Sequence, residues 1–159
     1  MTTGEQHRLI AWDRELSAAH RRLRQAVSLA RSAACESREA GDSVSARAEL
    51  LLYCHGFCTA PGGHHTREDV GLFPELAARY PQLRPTLDRL RQDHEVIATL
   101  LAELERALAS RASAGVMARH LDGLTAIMES HFRYEERRLL GPLAELDLDA
   151  DPRSLLGPL

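Results

Sequence analysis

A seam runs through Leu83, Leu87, Leu90, His94, Ile97, Leu101, Leu104 and Leu108 in strictly alternating steps of four and three. Only an α-helix collects residues at that spacing on one face, because the pattern repeats every 3.5 residues, close to the helical turn of 3.6. A half-buried strand needs strict apolar-polar alternation, and no segment shows it. Pro85 falls in the first turn of the implied helix, where a missing backbone donor costs little.

Three further stretches carry helical periodicity. In the first, Leu9, Trp12, Leu16, His20, Leu23 and Val27 share a face, Thr2 and Glu5 are spaced as a capping box, and the helix is expected to end before Gly41. Asp42 is read as the N-cap of the second, which runs through Leu50, Leu51, Leu52 and Phe57 to Pro61-Gly62-Gly63, where a kink or interruption is expected. Beyond that group lie His64, His65, Glu68, Asp69, Leu72 and Leu76, with Pro74 expected to bend the segment and Tyr80-Pro81 to close it. The last stretch aligns Met117, Leu121, Leu124, Met128, His131, Glu135, Leu139 and Pro142.

Four amphipathic stretches with short connections predict an all-α fold, an up-down-up-down antiparallel four-helix bundle. At 159 residues the chain is long enough for one self-sufficient core and short for two. The bundle is assigned to residues 1–146, and 147–159, with Pro152 and Pro158, to a loose C-terminal tail.

Charge removes several partner classes. A net charge of −3, with arginines and acids interleaved, gives no basic stripe for phosphates, so no nucleic acid partner is expected. The opening MTTGEQHRLIAWDRE has no basic segment followed by an apolar run, and no stretch reaches the roughly 18 apolar residues of a membrane span. No membrane association and a cytoplasmic location are expected. Cys35, Cys54 and Cys58 are odd in number, which fits a reducing compartment. No phosphate loop or serine or cysteine nucleophile motif occurs.

The chemistry lies in polar residues that stand where leucines belong. His20, His94 and His131 sit inside three different apolar stripes. One such histidine is commonly a satisfied core residue; several from separate helices point to a shared ligand. His64-xxx-Glu68 and His131-xxx-Glu135 each place an imidazole and a carboxylate on one helical face. Buried carboxylates without partners cost several kcal/mol each, an objection that a bound cation removes. Imidazoles mixed with carboxylates suit Fe, Mn or Zn, whereas Mg and Ca prefer oxygen. Two glutamates among four histidines fit two metals better than one. A faint echo between Leu72-Phe73-Pro74-Glu75-Leu76 and Leu139-Leu140-Gly141-Pro142-Leu143 suggests two similar half-sites.

The order His20, His64-xxx-Glu68, Asp93-His94-Glu95, His131-xxx-Glu135 resembles that of the hemerythrin-like, or HHE cation-binding, domain proteins over residues 10 to 145. The segments HHTREDVGLFPEL, LRQDHEVIATLL and HFRYEERRLLGPL carry the likeness. The resemblance implies a four-helix bundle holding two non-heme iron ions, oxo- or hydroxo-bridged, that react with O2, peroxide or nitric oxide. It also implies His20, His64, His94 and His131 as terminal ligands and Glu68 and Glu135 as bridging carboxylates. His65 is either a fifth nitrogen ligand or a solvent-facing neighbour of one. The chain departs from the oxygen-carrying hemerythrins in having Ala98 and Leu90, not a second histidine, one turn from His94. It also has Glu135 four residues after His131 where those proteins use the position of Glu136. Fewer nitrogens leave more open coordination positions.

The expected function is therefore binding or reduction of a small oxidant in sensing, detoxification or iron protection. The alternatives are a diiron oxidase or oxygenase acting on an organic substrate, with a pocket opened by residues 58–63, and a non-catalytic helical module. Cys54-His55-xx-Cys58 lacks the second pair that a structural zinc site needs and is read as packing. Tyr53 and Tyr134 are read as core residues, and Asp69, Asp93 and Glu136 as either solvated or hydrogen-bonded to the ligand imidazoles.

Overall fold

The computed structural model describes residues 10–157. The expected capping box at Thr2 and Glu5, and Leu9, lie outside them. Among the described residues the chain is all helical, without strands, and comprises α1 (Trp12–Glu39), α2 (Val44–Arg67), a π-helical turn (Glu68–Leu72), α3 (Phe73–Arg79), α4 (Arg84–Ala109), α5 (Ala114–Ala144) and α6 (Pro152–Leu156). Helix α1 packs against α2 and α5, and α4 packs against α5 and, less extensively, α2.

The seam lies on α4 with Leu87, Leu90, His94, Ile97, Leu101, Leu104 and Leu108 all buried; Leu83 sits in the short 3-10 turn before it. On α5 the last inward position is Leu143, next to the expected Pro142, and the ring of Phe132 is buried as well. Asp42 does not cap α2. It takes a left-handed conformation (φ 56°) after Gly41 (φ 63°), accepts from the Ser37 hydroxyl, and leaves Ser43 as the N-cap.

Pro61-Gly62-Gly63 does not interrupt α2, which stays helical to Arg67 with Pro61 buried inside it. The irregularity comes later. Pro74 has no N–H to give to the carbonyl four residues back, and the chain absorbs the missing bond in the π turn, where the Phe73 N–H donates to the Glu68 carbonyl.

Of the segment expected to be a loose tail, the described residues 147–157 are docked. Trp12 Nε1 donates to the Leu148 carbonyl (3.0 Å) and Arg79 to the Asp147 carbonyl (2.8 Å). The Asp151 carboxylate caps α6 through the Arg153 N–H, with Pro152 in the first turn, and Leu155 and Leu156 are buried. Gly157 (φ 86°) ends the helix against the backbone of Gly63 and His64, where a Cβ would come within 3.2 Å. A side chain at position 71 would likewise strike Leu155 at 2.6 Å.

The core falls into two apolar blocks. On α1, Leu16 belongs to one and Leu23 to the other, with His20 between them; on α4, Leu90 and Ile97 flank His94. On α5, Leu139 and Met128 bracket His131 and Glu135, and Leu72 and Cys58 bracket His64, His65 and Glu68. A polar layer thus crosses the molecule between two greasy ones.

Candidate metal centre

Each residue of that layer is buried: His20, His64, His65, Glu68, His94, His131 and Glu135 are at most 4% exposed. Helix α1 supplies His20, α2 supplies His64 and His65, the π turn Glu68, α4 His94, and α5 His131 and Glu135. The structure therefore brings together all seven residues singled out from the sequence, and the solvent-facing alternative for His65 is excluded by its burial.

Their ligand atoms form two adjoining groups, one of His20, His64, Glu68 and Glu135 and one of His65, His94 and His131. The two His-xxx-Glu pairs do not make one half-site each, as the internal echo suggested. His131 belongs to the second group while Glu135 faces both, its Oε2 lying 3.0 Å from His20 Nε2 and 3.6 Å from His131 Nε2. Glu68 spans the groups as well, with Oε1 3.0 Å from His64 Nε2 and Oε2 3.4 Å from His94 Nε2. Within the second group His94 Nε2 and His131 Nε2 stand 3.2 Å apart.

The outer nitrogens explain why the inner ones converge. Nδ1 of His20 is 2.8 Å from Glu136 Oε1, that of His94 2.8 Å from Asp69, that of His131 3.3 Å from Asp93, and that of His64 2.8 Å from the Leu156 carbonyl. All four partners only accept, so each imidazole carries its proton on Nδ1 and turns Nε2 inward. Glu136 is itself held by Arg24 (3.0 Å), which also binds Glu129 (2.8 Å). Phe132 stacks on His20 with centroids 4.2 Å apart, and Phe73 lies parallel to His94 at 5.6 Å.

The donor set fits a cation. Nε2 of His20, His64 and His65 and both oxygens of Glu68 and Glu135 are buried without a hydrogen-bond partner, although facing atoms lie at ion-pair distance. The ligand atoms of each group nevertheless lie within 4.8 Å of one another, close enough for one ion to reach them all. In a neutral His64 the Nε2 lone pair confronts a carboxylate oxygen 3.0 Å away, a repulsion that a positive charge between them turns into attraction.

Without a cation the charge balance falls to protons. Burial lowers the pKa of His20, but the close carboxylates of Glu135 and Glu136 outweigh it and raise the value to about 9. His94 rises to about 9 in the same way, burial being overcome by Asp69 and Glu68. Burial alone would raise the Glu68 carboxyl, yet the facing His64 and His94 imidazoles hold it well below the usual carboxylate range. Burial, reinforced by His94, pushes His65 well down, and burial lowers His131.

The other sequence readings resolve simply. Asp69, Asp93 and Glu136 are the hydrogen-bonded partners of imidazoles, not solvated bystanders. Glu135, not Glu136, faces the centre. The fourth partner, the Leu156 carbonyl, had no side-chain signal; the indirect one was Asp151-Pro152 and Gly157 bracketing a short helix. Cys54 and Cys58 are buried, and burial pushes their thiols up to about 11 and about 12, so neither is a thiolate ligand at neutral pH. A cleft of about 180 Å3 opens between α2 and α4 with His65 and His94 on its wall.

A helical protein with a buried histidine-carboxylate cluster of this kind is a cation-binding protein in class. The hemerythrin HHE cation binding domain matches residues 13–143, and the chain belongs to that family. No curated protein and no solved structure shows a significant match to it. No described helix is long and apolar enough to cross a membrane.

Proposed function

We propose that the protein is a non-heme diiron protein that binds or reduces a small oxidant, O2, peroxide or nitric oxide, with its long helices in up-down-up-down antiparallel order. His20, His64, His65, His94 and His131 are the nitrogen ligands in this reading, and Glu68 and Glu135 the carboxylates shared between the ions. The observation that carries it is the pair of buried carboxylates whose oxygens lack hydrogen bonds and each face imidazoles of two helices.

When bound, the two irons supply electrons and an open coordination position for the oxidant. The chain's own groups do the rest. Asp69, Asp93, Glu136 and the Leu156 carbonyl hold the imidazoles in one tautomer and orientation, and Phe132 and Phe73 pack on the rings of His20 and His94. A small oxidant is favoured over an organic substrate because the cleft at His65 and His94, about 180 Å3, is below the roughly 300–1,000 Å3 typical of pockets for organic ligands.

Metal analysis with absorption spectra of anaerobically reduced and air-exposed protein tests the reading. Two irons per chain, a charge-transfer band on oxidation, and loss of both in Glu68→Ala are expected. Protein that is fully folded and equally stable without metal, or Glu68→Ala with its full iron content, would overturn it.

A further inference from the structure

The metal-facing residues are covered unevenly. Toward α1 and α5, Phe132 lies over His20, and Arg24 lies over the Phe132 ring at 5.1 Å. Toward the C-terminus, Leu156 and Gly157 press on His64. Toward α3, Phe73 lies beside His94 with Arg91 over it at 5.7 Å. Between α2 and α4 a cleft reaches His65 and His94, and the smallest residues on its wall are Gly62 and Ala98. Those two rings are stacked at 4.0 Å and 11°, and His65 Nε2 is buried without a partner.

The volume, about 180 Å3, equals that of about six water molecules at about 30 Å3 each. Two acidic side chains border it: Asp69, fixed on His94 Nδ1, and the exposed Glu95. Their field repels anions and leaves uncharged molecules unaffected. We infer that the α2–α4 cleft is the passage and holding site for an uncharged oxidant of two to four atoms, with Gly62 and Ala98 setting its aperture and Asp69 and Glu95 turning anions away. The inference rests on the diiron reading above for the identity of the ligand, and on the cleft alone for the route.

Stopped-flow association of nitric oxide with the reduced, iron-loaded chain, and of azide with the oxidised chain, tests it, with iron content measured in parallel. Ala98→Leu and Gly62→Leu are expected to slow nitric oxide by about tenfold or more at unchanged iron content. A Cβ at position 62 meets nothing within 4 Å, so the larger side chain has room to enter the cleft without displacing a helix. Glu95→Gln is expected to speed azide several-fold and leave nitric oxide unchanged, whereas Thr125→Leu, beside the separate α1–α5 surface groove, alters neither. Iron-replete Ala98→Leu and Gly62→Leu proteins that take up nitric oxide at the wild-type rate overturn the route; an unchanged azide rate in Glu95→Gln overturns the charge filter. A measurement on metal-free protein separates this from the iron assignment: xenon is expected to shift the methyl signals of Leu101, on the cleft wall, in the wild type and not in Ala98→Leu. Absence of that shift in the wild type overturns the cleft as a holding site even if iron is bound.

Discussion

His64 Nδ1 donates to the carbonyl oxygen of Leu156 across 2.8 Å, joining positions 92 residues apart. Of the four imidazoles anchored through Nδ1, His64 alone leans on a neutral group; His20, His94 and His131 lean on carboxylates. A carboxylate grips an imidazole N–H more strongly than a neutral carbonyl does, so of the four rings His64 depends most on its neighbours to stay in place.

The C-terminal segment is therefore expected to matter for cation binding although it contributes no ligand. Gly157→Val puts a β-branched residue at φ 86° and its Cβ within 3.2 Å of the His64 backbone, and removal of residues 147–159 takes away the carbonyl outright. Both are expected to weaken iron retention by about 10- to 100-fold against a competing chelator. Wild-type retention in both would show that Leu156 does not position His64.

The metal-free protein should be sensitive to alkali. His20 and His94 have pKa values raised from 6.5 to about 9, so their stabilisation is complete below pH 6.5 and disappears as pH rises through about 9. Melting temperature is expected to fall across that interval in metal-free protein. It should hold in the iron-loaded form, where cations replace those protons, and apparent iron affinity should rise over the same range as protons are released. A flat profile for metal-free protein would contradict the charge balance. The Glu136 carboxyl, held down to about 2 chiefly by its hydrogen bond to His20, makes its contribution above pH 4.5 and loses it as pH falls toward 2.

Packing and binding should separate by position on α4. Leu104 is fully buried in the apolar block formed with Leu23 and Met128. Leu104→Ala is expected to cost about 2–5 kcal/mol in denaturant unfolding while iron content stays at the wild-type level. His94→Ala is expected to lose iron. If Leu104→Ala also lost iron from a folded chain, the layer would be less self-contained than its geometry implies.

Much of this was legible in the residues. The even seam on α4 and the histidines interrupting three apolar stripes gave both the helices and the direction in which the imidazoles point, because helical phase alone decides which face is buried. The His-xxx-Glu spacing likewise announced Glu68 and Glu135. Features carried by the backbone were harder to see. The π turn at Glu68–Leu72 follows from the missing Pro74 donor, but sequence does not say whether such a loss is met by a kink, a break or a widened turn. Pro61-Gly62-Gly63, which looks like a break, remains helical under tertiary packing. The Leu156 carbonyl belongs to a segment that reads as a loose tail, and a main-chain acceptor leaves no trace in composition.

The stratified core has a further consequence. The Leu23–Met128 block and the Leu16–Leu139 block meet across a stratum whose members, once stripped of cations, balance carboxylates against protonated imidazoles at close range. Cations seated there would rivet the blocks to each other, and their departure would leave a fault plane. Calorimetry should accordingly record one sharp melting transition for the iron-loaded chain and a broadened or split one after chelation.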